Sequence, residues 1–414
     1  MFANRVVLAV TAMSLATAVA SADSSILQSV QQEARAHSLL LAEGAAPTVG
    51  HGAIAPGLPP YGFSIVQGDY SLNISPAVQF RAVANCGEDR KHGDTSVETG
   101  FEVTRARLGV MGFAGSPKLH YFARWEAGDI TGTVELLDLI ISYQCDDQIT
   151  FRAGQIKAAF AHETAVDAFD VLGATRSFTN GLIGIPDGLN GRTQGAGFWY
   201  GNPTNPLHAI VLFHDGVGSV NSSFQDAGTA HWAMGAAVAY TVMGNWQDYW
   251  DFTARTNTKD LLVLSAGGDV TQLDNLNLYF FMIEAQYETA SRLALYGAFN
   301  GQIFDFRNVP ADDQFNWGFH VQAGYALDKV WEVFGRYSLV KFEEDTAVGE
   351  DTFHEITIGA NYYLLDGGPG NNAKVTAELT WLPSGSPSAL PYHQIIGGTD
   401  QSEFVLRLQL QVRP

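Results

Sequence analysis

The sequence has few positive charges and, after its first 22 residues, no long hydrophobic run. It contains 23 lysines and arginines against 43 aspartates and glutamates, for a formal net charge of -20. An acidic chain of this kind excludes nucleic acid as a partner. Because no stretch of about 18 apolar residues follows residue 22, the mature chain has no transmembrane helix. The protein is therefore either soluble or a β-barrel.

Sequence motifs for catalysis and metal binding are also missing. There is no Gly-x-Ser-x-Gly elbow, no Walker loop and no His-Glu-x-x-His zinc site. The pair His162-Glu163 lacks a second histidine four residues on, and the other histidines have no metal-like spacing. We therefore expect no enzymatic activity, no metal and no cofactor.

The first 60 residues differ in composition from the rest. Arg5, an apolar run over residues 6–19 and a small-residue triplet predict a signal peptide over residues 1–22. Residues 23–60 combine apolar residues near helical spacing with a Gly/Pro-rich stretch, which predicts a periplasmic helix and linker. The alternative, a trimerising coiled coil, would have fewer than three heptads. Residues 61–414 form the predicted barrel domain.

Hydrophobic residues alternate with polar ones from residue 69 onward. The C-terminal segment shows this most clearly, because every second residue is apolar and most of the residues between are polar. The apolar residues are Phe404, Leu406, Leu408, Leu410 and Val412. In a soluble sandwich the apolar face would point inward, whereas in a membrane barrel it contacts lipid and the polar face lines water. One strand alone does not distinguish these two cases.

The number and spacing of such segments favour the barrel. About 16 candidate strands of about 10 residues lie between Tyr70 and Arg413, and short turns alternate with longer loops. A closed sheet is the β-structure that leaves no unpaired backbone in lipid. The sequence predicts an all-β fold, a transmembrane antiparallel up-and-down β-barrel of about 16 strands, whose short turns face the periplasm. Strand edges are ambiguous only in residues 244–260.

The two cysteines fall at opposite ends of this predicted barrel. Cys86 ends the first segment at the outer rim, and Cys145 ends the fourth at the periplasmic rim. A disulfide needs α-carbons within about 7 Å, whereas the barrel wall is about 25 Å tall. Two free thiols are expected.

Several stretches resemble one known family. They are TRARLGVMG at 104–112, FRAGQIK at 151–157, TRS at 175–177, VQAGY at 321–325, GRYS at 335–338 and IGANYYL at 358–364. In this order the sequence resembles the phosphate-selective porin O and P family of bacterial outer-membrane channels. The resemblance implies a homotrimeric, diffusion-driven channel for small solutes, with anions or phosphate as cargo.

The polar register of the predicted strands supplies charges of both signs to the lumen. Its cations are Arg105, Arg107, Arg124, Arg152, Arg336 and Arg407, and its acids are Glu126, Asp138, Glu332 and Glu378. A guanidinium stays protonated and offers a planar fork of donors to a passing anion. The alternative is that these arginines pair with lumenal acids and stiffen the wall.

The longest connection, residues 159–191 between the fifth and sixth predicted strands, is expected to fold inward as a constriction loop. It carries His162, Glu163, Asp167 and Asp170. Arg176 in this loop and Lys157 beside it are the first predicted anion contacts. The alternative is a loop that packs on the wall with its charges paired.

These observations together predict an outer-membrane porin that gives passive diffusion of small hydrophilic solutes, anions and phosphate among them. Its partners would be outer-membrane lipid, the solute and two further copies of the chain. Two alternatives remain at this point: a non-conducting barrel with a structural or adhesive role, and a soluble all-β binding protein.

Overall fold

The computed structural model describes residues 62–413 except 89–94, 128–132, 158–160, 185–190, 217–218, 220, 224–229, 308–311, 345, 347, 365–372 and 391–392. The predicted signal peptide (1–22) and the predicted helix and linker (23–60) lie outside these residues. Within the described part, no helix is long and apolar enough to cross a membrane.

The described chain forms seventeen antiparallel strands. They are β1 (Phe63–Gln67), β2 (Tyr70–Glu88), β3 (Thr95–Phe113), β4 (Leu119–Ala127), β5 (Val134–Gln144), β6 (Ile149–Lys157), β7 (Arg192–Tyr200), β8 (Leu207–His214), β9 (Trp232–Met243), β10 (Leu261–Gln272), β11 (Leu276–Glu288), β12 (Leu293–Phe306), β13 (Gln314–Ala326), β14 (Trp331–Lys341), β15 (Thr352–Tyr363), β16 (Ala373–Leu382) and β17 (Glu403–Val412).

Strands β2 to β17 close into a ring. Each pairs with its neighbours in sequence, and β17 pairs with β2 from Phe404 opposite Cys86 to Val412 opposite Val78. This closed antiparallel barrel of sixteen strands confirms the predicted fold. The seventeenth strand, β1, was missed; it pairs with the beginning of β2, from Phe63 opposite Ile74 onward. Closure leaves the ring without a free edge.

The barrel is polar inside and apolar outside. Strand β17 shows this directly: Glu403, Val405, Arg407, Gln409 and Gln411 are buried, while the alternate apolar residues are exposed or half-exposed. Across the described residues, buried polar side chains outnumber buried hydrophobic ones, and large apolar side chains are exposed along most strands. A soluble protein would bury these apolar faces, so lipid is the solvent that suits the outer surface.

The two rims differ in the length of their connections. The turn rim carries short connections such as residues 114–118, 145–148 and 201–206, and the loop rim carries the connection between β6 and β7. Cys86 lies near the loop rim and Cys145 at the turn rim, and both are free, as predicted.

Two connections contain short helices. Residues 161–184, here called the inner loop, contain α1 (His162–Ala165) and one π-helical turn (Asn180–Gly184). At the turn rim, the ambiguous residues 244–260 contain the 3₁₀ turn Trp246–Trp250 and no strand. Gly244, at φ 97°, follows the end of β9 and turns the chain in a conformation that favours glycine.

Candidate functional site: the barrel interior

The inner loop contacts inward-facing side chains on many sides of the ring. Its hydrogen bonds and ion pairs reach β3 and β4 on one side and β11 and β13 to β17 on the other. Almost every described residue of the loop is buried. The loop therefore lies within the barrel and not over its rim.

Asp167 binds the inner loop to the arginines of β3 and β4. Its carboxylate lies 3.1 Å from the Arg107 guanidinium and 2.6 Å from that of Arg124. Arg107 also pairs with Glu126 at 3.2 Å on the neighbouring strand. Burial alone would raise the pKa of Asp167, but Arg124 and Arg107 outweigh it and hold that pKa well below its usual value. Asp167 is thus ionised, and it neutralises arginines predicted to line the pore.

The two residues predicted as the first anion contacts instead donate to backbone carbonyls of the inner loop. Lys157 Nζ donates to the carbonyls of Thr164, Ala165 and Val166 at 2.9–3.1 Å. Arg176 donates to the carbonyls of Glu163 at 2.8 Å and Val166 at 2.9 Å. Cations favour the carbonyl end of a helix, which here is α1. Both side chains therefore hold the loop in place.

Acids on β15 and β16 hold the following part of the loop. Glu355 pairs with Arg336 at 2.6 Å and accepts a hydrogen bond from the Phe178 amide at 2.8 Å. Glu378 pairs with Arg407 at 2.8 Å and accepts one from the Ala174 amide at 2.8 Å. Each acid thus joins a predicted pore arginine to the loop backbone, which agrees with the paired alternative for these arginines.

The remaining predicted loop residues are buried as well. Asp170 pairs with Arg413 at 2.6 Å, and Glu163 accepts hydrogen bonds from the amide and hydroxyl of Ser177 at 2.8 and 2.6 Å. Arg105 donates to Gln79 at 2.9 Å. The sequence analysis assigned no specific partner to any of these groups.

Some cations of the interior were not predicted. They are Arg81, Arg192, Arg255, Lys374 and Arg413. Strict alternation along β2 and β17 would have indicated Arg81 and Arg413, because each lies two residues from another inward side chain. Nothing in the local sequence indicates Arg255, which lies in the 244–260 segment and donates to the Lys329 carbonyl at 2.9 Å.

The 244–260 segment covers acids that form no ion pair with another described residue. Glu284 accepts hydrogen bonds from Ser265 at 2.7 Å, from Tyr296 at 2.6 Å and from Tyr249 of this segment at 3.3 Å. In the same way, Thr253 of the segment donates to Glu332 at 2.6 Å. These hydrogen bonds satisfy the carboxylates and separate them from the rest of the interior.

The inner loop makes no polar contact with one side of the barrel. Among the described residues, no hydrogen bond or ion pair joins the inner loop to β8 or β9. The inward positions of β9 are small, and Ala237 and Ala239 are partly exposed although they face the interior. These side chains of β9 are therefore less covered than those of the strands that the inner loop contacts.

Arg152 is the predicted pore arginine that has no acidic partner. It lies on β6, is 6% exposed, and its guanidinium carbon lies 4.7 Å from the centre of the Trp199 ring. No ion pair or hydrogen bond joins its guanidinium to another described residue, and its Nε has no acceptor. The cation–π contact stabilises the charge but does not neutralise it.

Cations are enriched in the interior relative to the whole chain. In the described part, twelve lysine and arginine side chains and twelve aspartate and glutamate side chains are buried. The sequence contains 23 cations and 43 acids. More than half of the cationic side chains of the chain are therefore buried. The excess of acidic over cationic residues lies outside this buried set.

Comparison with known proteins agrees with this architecture. The family model described as phosphate-selective porin O and P matches residues 80–307, which is more than half of the chain. No curated protein matched the sequence.

Solved structures of other outer-membrane channels share the fold. An anion-selective porin from Comamonas acidovorans aligns with a TM-score of 0.57 at 16% identity, covering 83% of this chain and 100% of that one. The trimer form of Vibrio cholerae OmpT aligns at 0.51 and 11% identity, covering 84% and 100%. The outer-membrane channel DcaP of Acinetobacter baumannii aligns at 0.55 and 12% identity, covering 86% and 100%. At these identities the likeness concerns the fold alone.

Proposed function

Because this chain belongs to the phosphate-selective porin O and P family and is an outer-membrane porin, we propose that its pore is selective for small hydrophilic anions. The observation that carries this proposal is Arg152, an inward guanidinium of β6 that has no acidic partner among the described residues. The solute passes by diffusion and leaves chemically unchanged.

The arrangement of the acids supports anion selectivity. Acids near the inner loop, such as Asp167, Glu355 and Glu378, are each paired with a guanidinium. Glu284 and Glu332 lack such partners but are hydrogen-bonded beneath the 244–260 segment. An ion that reaches Arg152 therefore meets its charge with little opposing charge nearby.

A single unpaired arginine suits transport better than tight binding. The planar fork of a guanidinium donates paired hydrogen bonds to phosphate or carboxylate oxygens. Conduction, however, requires a site that attracts an ion and also releases it. One such group in a water-filled lumen attracts the ion without retaining it.

The assembly is proposed to be a homotrimer. Vibrio cholerae OmpT, whose fold this barrel shares, is known in a trimer form. Cross-linking of the detergent-extracted protein, followed by mass determination, tests this proposal. A trimer mass supports it, and a monomer mass at all protein concentrations contradicts it.

The main test is the reversal potential of the purified full-length protein in a planar bilayer under a potassium chloride gradient, repeated with potassium phosphate. We expect an anion-selective current and a shift toward cation selectivity in Arg152→Gln. Arg307→Gln is the matched control, because Arg307 is exposed near the loop rim. A cation-selective wild-type current contradicts anion selectivity, and absence of current would favour the non-conducting barrel.

A further inference from the structure

A groove of about 760 Å³ lies at the loop rim, where the connection between β8 and β9 meets the outer face of β5 to β9. Its wall consists of outward side chains of these strands. Leu139, Phe213 and Trp232 are 47–60% exposed, whereas the strand neighbours Leu212 and Ala233 are buried on the inward face. The groove therefore opens on the lipid side of the barrel and not on the lumen.

Two glutamines of the outer face hold the β8–β9 connection over the groove. Gln155 accepts a hydrogen bond from the Asn221 amide at 2.8 Å, and Gln194 donates to the carbonyls of Ser219 and Ser222 at 2.8 and 2.9 Å. Amide side chains on a lipid-facing surface are costly unless they are hydrogen-bonded. The protein satisfies them with its own backbone, and this gives the groove a fixed roof.

Three acceptor groups in the groove are not used by the protein. Among the described residues, no hydrogen bond or ion pair reaches the Asp215 carboxylate, Gln194 Oε1 or Asn221 Oδ1. The amide nitrogens of Gln194 and Asn221 already donate to backbone carbonyls, the latter to Leu136 at 3.1 Å. The groove thus offers acceptors, and a ligand that complements it brings hydrogen-bond donors.

The charge of the groove argues against an anionic ligand. No lysine or arginine is among the described residues that line it, and His231 pairs with Asp274 at 2.6 Å. Proteins recognise phosphate and carboxylate mainly through arginine and lysine, and the free carboxylate of Asp215 would repel either group. A sugar ring suits the lining better, because its edge carries hydroxyl donors and its apolar C–H face can pack on Trp232.

The groove lies at the level of an aromatic belt. Trp232 is the first residue of β9, and further exposed aromatic residues occupy the second position from the loop-rim end of other strands: Phe315, Trp381 and Phe404. Such belts lie at the level of the lipid headgroups. Toward the turn rim, Val211 and Met234 expose apolar side chains on the same outer face. A lipid with its headgroup in the groove would find an apolar wall for its acyl chains.

We propose that this groove binds the sugar headgroup of a glycolipid from the membrane leaflet at the loop rim. The sugar hydroxyls donate to Asp215, Gln194 and Asn221, and the sugar face packs on Trp232. The acyl chains lie along the outer face of β8 and β9. This site is on the outer surface of the barrel, so it does not depend on the ion selectivity of the pore.

Native mass spectrometry of the purified full-length protein, in a polyoxyethylene detergent that carries no sugar, tests this proposal. Monoglucosyl dioleoylglycerol and dioleoyl phosphatidylethanolamine have the same acyl chains, so a difference in their dissociation constants reports on the headgroup. We expect the glucosyl lipid to bind about tenfold more tightly. Methyl glucoside, the same sugar without acyl chains, should not bind at the concentration that saturates the glycolipid site.

Variants assign this preference to the groove. Trp232→Leu should weaken binding of the glucosyl lipid about fivefold, and Asp215→Ala should weaken it about tenfold. Binding of phosphatidylethanolamine should not change in either variant. Trp381→Leu is the matched control for an aromatic residue of the belt, and Asp312→Ala is the control for an exposed acid at the loop rim. Heat-modifiable mobility in gels shows that each variant has folded.

Each contrary result removes a stated part of the proposal. Equal dissociation constants for the two lipids would overturn recognition of the sugar headgroup, and this comparison needs the wild-type protein alone. Methyl glucoside that binds as tightly as the glycolipid would make the ligand a free sugar and overturn the lipid assignment. A glucosyl preference that survives in both Trp232→Leu and Asp215→Ala would exclude the groove as its site.

Discussion

His162 of the inner loop stacks on Tyr249 of the 244–260 segment, with ring centres 3.6 Å apart and planes inclined by 7°. The Nε2 atom of His162 also lies 2.8 Å from the Tyr249 carbonyl oxygen. Burial lowers the pKa of His162 to about 3, so the ring is neutral and donates this hydrogen bond through Nε2–H. Two connections that start at opposite rims therefore meet inside the barrel.

The first prediction concerns this contact. His162→Ala removes both the stack and the hydrogen bond, so the inner loop keeps only its apolar contacts with the 244–260 segment, such as those around Phe252. We expect a larger mean single-channel conductance and more frequent current fluctuations, measured in planar bilayers. His231→Ala is the control, because that histidine is exposed at the loop rim. Currents identical to wild type would show that the contact does not restrain the loop.

The second prediction concerns the Arg336–Glu355 pair. Glu355→Gln leaves a buried guanidinium without its counter-charge and weakens the bond to the Phe178 amide. Breaking a buried pair in this way costs about 3 kcal/mol or more. The measurement is the temperature at which the folded band is lost on heat-modifiable gels, and Glu355→Gln should lower it.

A double variant provides the control for that experiment. Arg336→Leu combined with Glu355→Leu removes both charges, so no uncompensated charge remains. We expect its transition temperature to lie closer to the wild type than that of Glu355→Gln. If the double variant is the less stable of the two, hydrogen bonding to the loop outweighs the ion pair itself.

The barrel could be predicted from the sequence because its signal is repetitive. Alternation of apolar and polar residues in β17 was enough to assign which side chains face inward, and sixteen such segments gave the strand number. Strand β1 was not predicted from the sequence, because it has only five residues, all exposed, and pairs with one neighbour. In 244–260 the aromatic residues were consistent with an interrupted strand, whereas Trp246 and Tyr249 are buried in a 3₁₀ turn.

The pairing inside the barrel could not be predicted in the same way. Alternation placed Arg107 and Arg124 in the interior, but their common partner Asp167 lies in an irregular loop 60 and 43 residues away. Which carboxylate reaches which guanidinium depends on the path of that loop, and the local sequence does not encode it. Arg176 and Lys157 illustrate this point. The sequence predicted both as anion contacts, and in the structure both donate hydrogen bonds to backbone carbonyls of the inner loop.

The third prediction concerns pH. Burial, together with the nearby charge of Asp170, raises the pKa of Asp251 from 3.8 to about 8, and Glu332 and Asp248 act in the same direction. Well below pH 3.8 this carboxyl is protonated in both the folded and the unfolded chain. As the pH rises toward 8, the unfolded chain loses the proton while the folded chain keeps it, so the free energy of unfolding decreases.

We therefore expect the heat-induced transition of the wild-type barrel to fall between pH 5 and pH 8 and to change less above that range. Asp251→Asn carries no titratable group at this position and should show a flatter profile. Exposed Asp147→Asn, at the turn rim, is the matched control and should retain the wild-type slope. Parallel profiles for all three proteins would mean that Asp251 does not determine the pH dependence.

The last prediction tests which rim faces the cell exterior. Cys86 lies near the loop rim and is partly exposed, whereas Cys145 is exposed in the turn between β5 and β6. In a barrel whose short turns face the periplasm, a membrane-impermeant maleimide added to intact cells should label Cys86 and not Cys145. Permeabilising the outer membrane should make Cys145 react, and faster than Cys86 because it is the more exposed thiol. Cys86→Ser and Cys145→Ser assign each signal to one residue. Labelling of Cys145 in intact cells would show that the short turns face the exterior and would reverse the orientation.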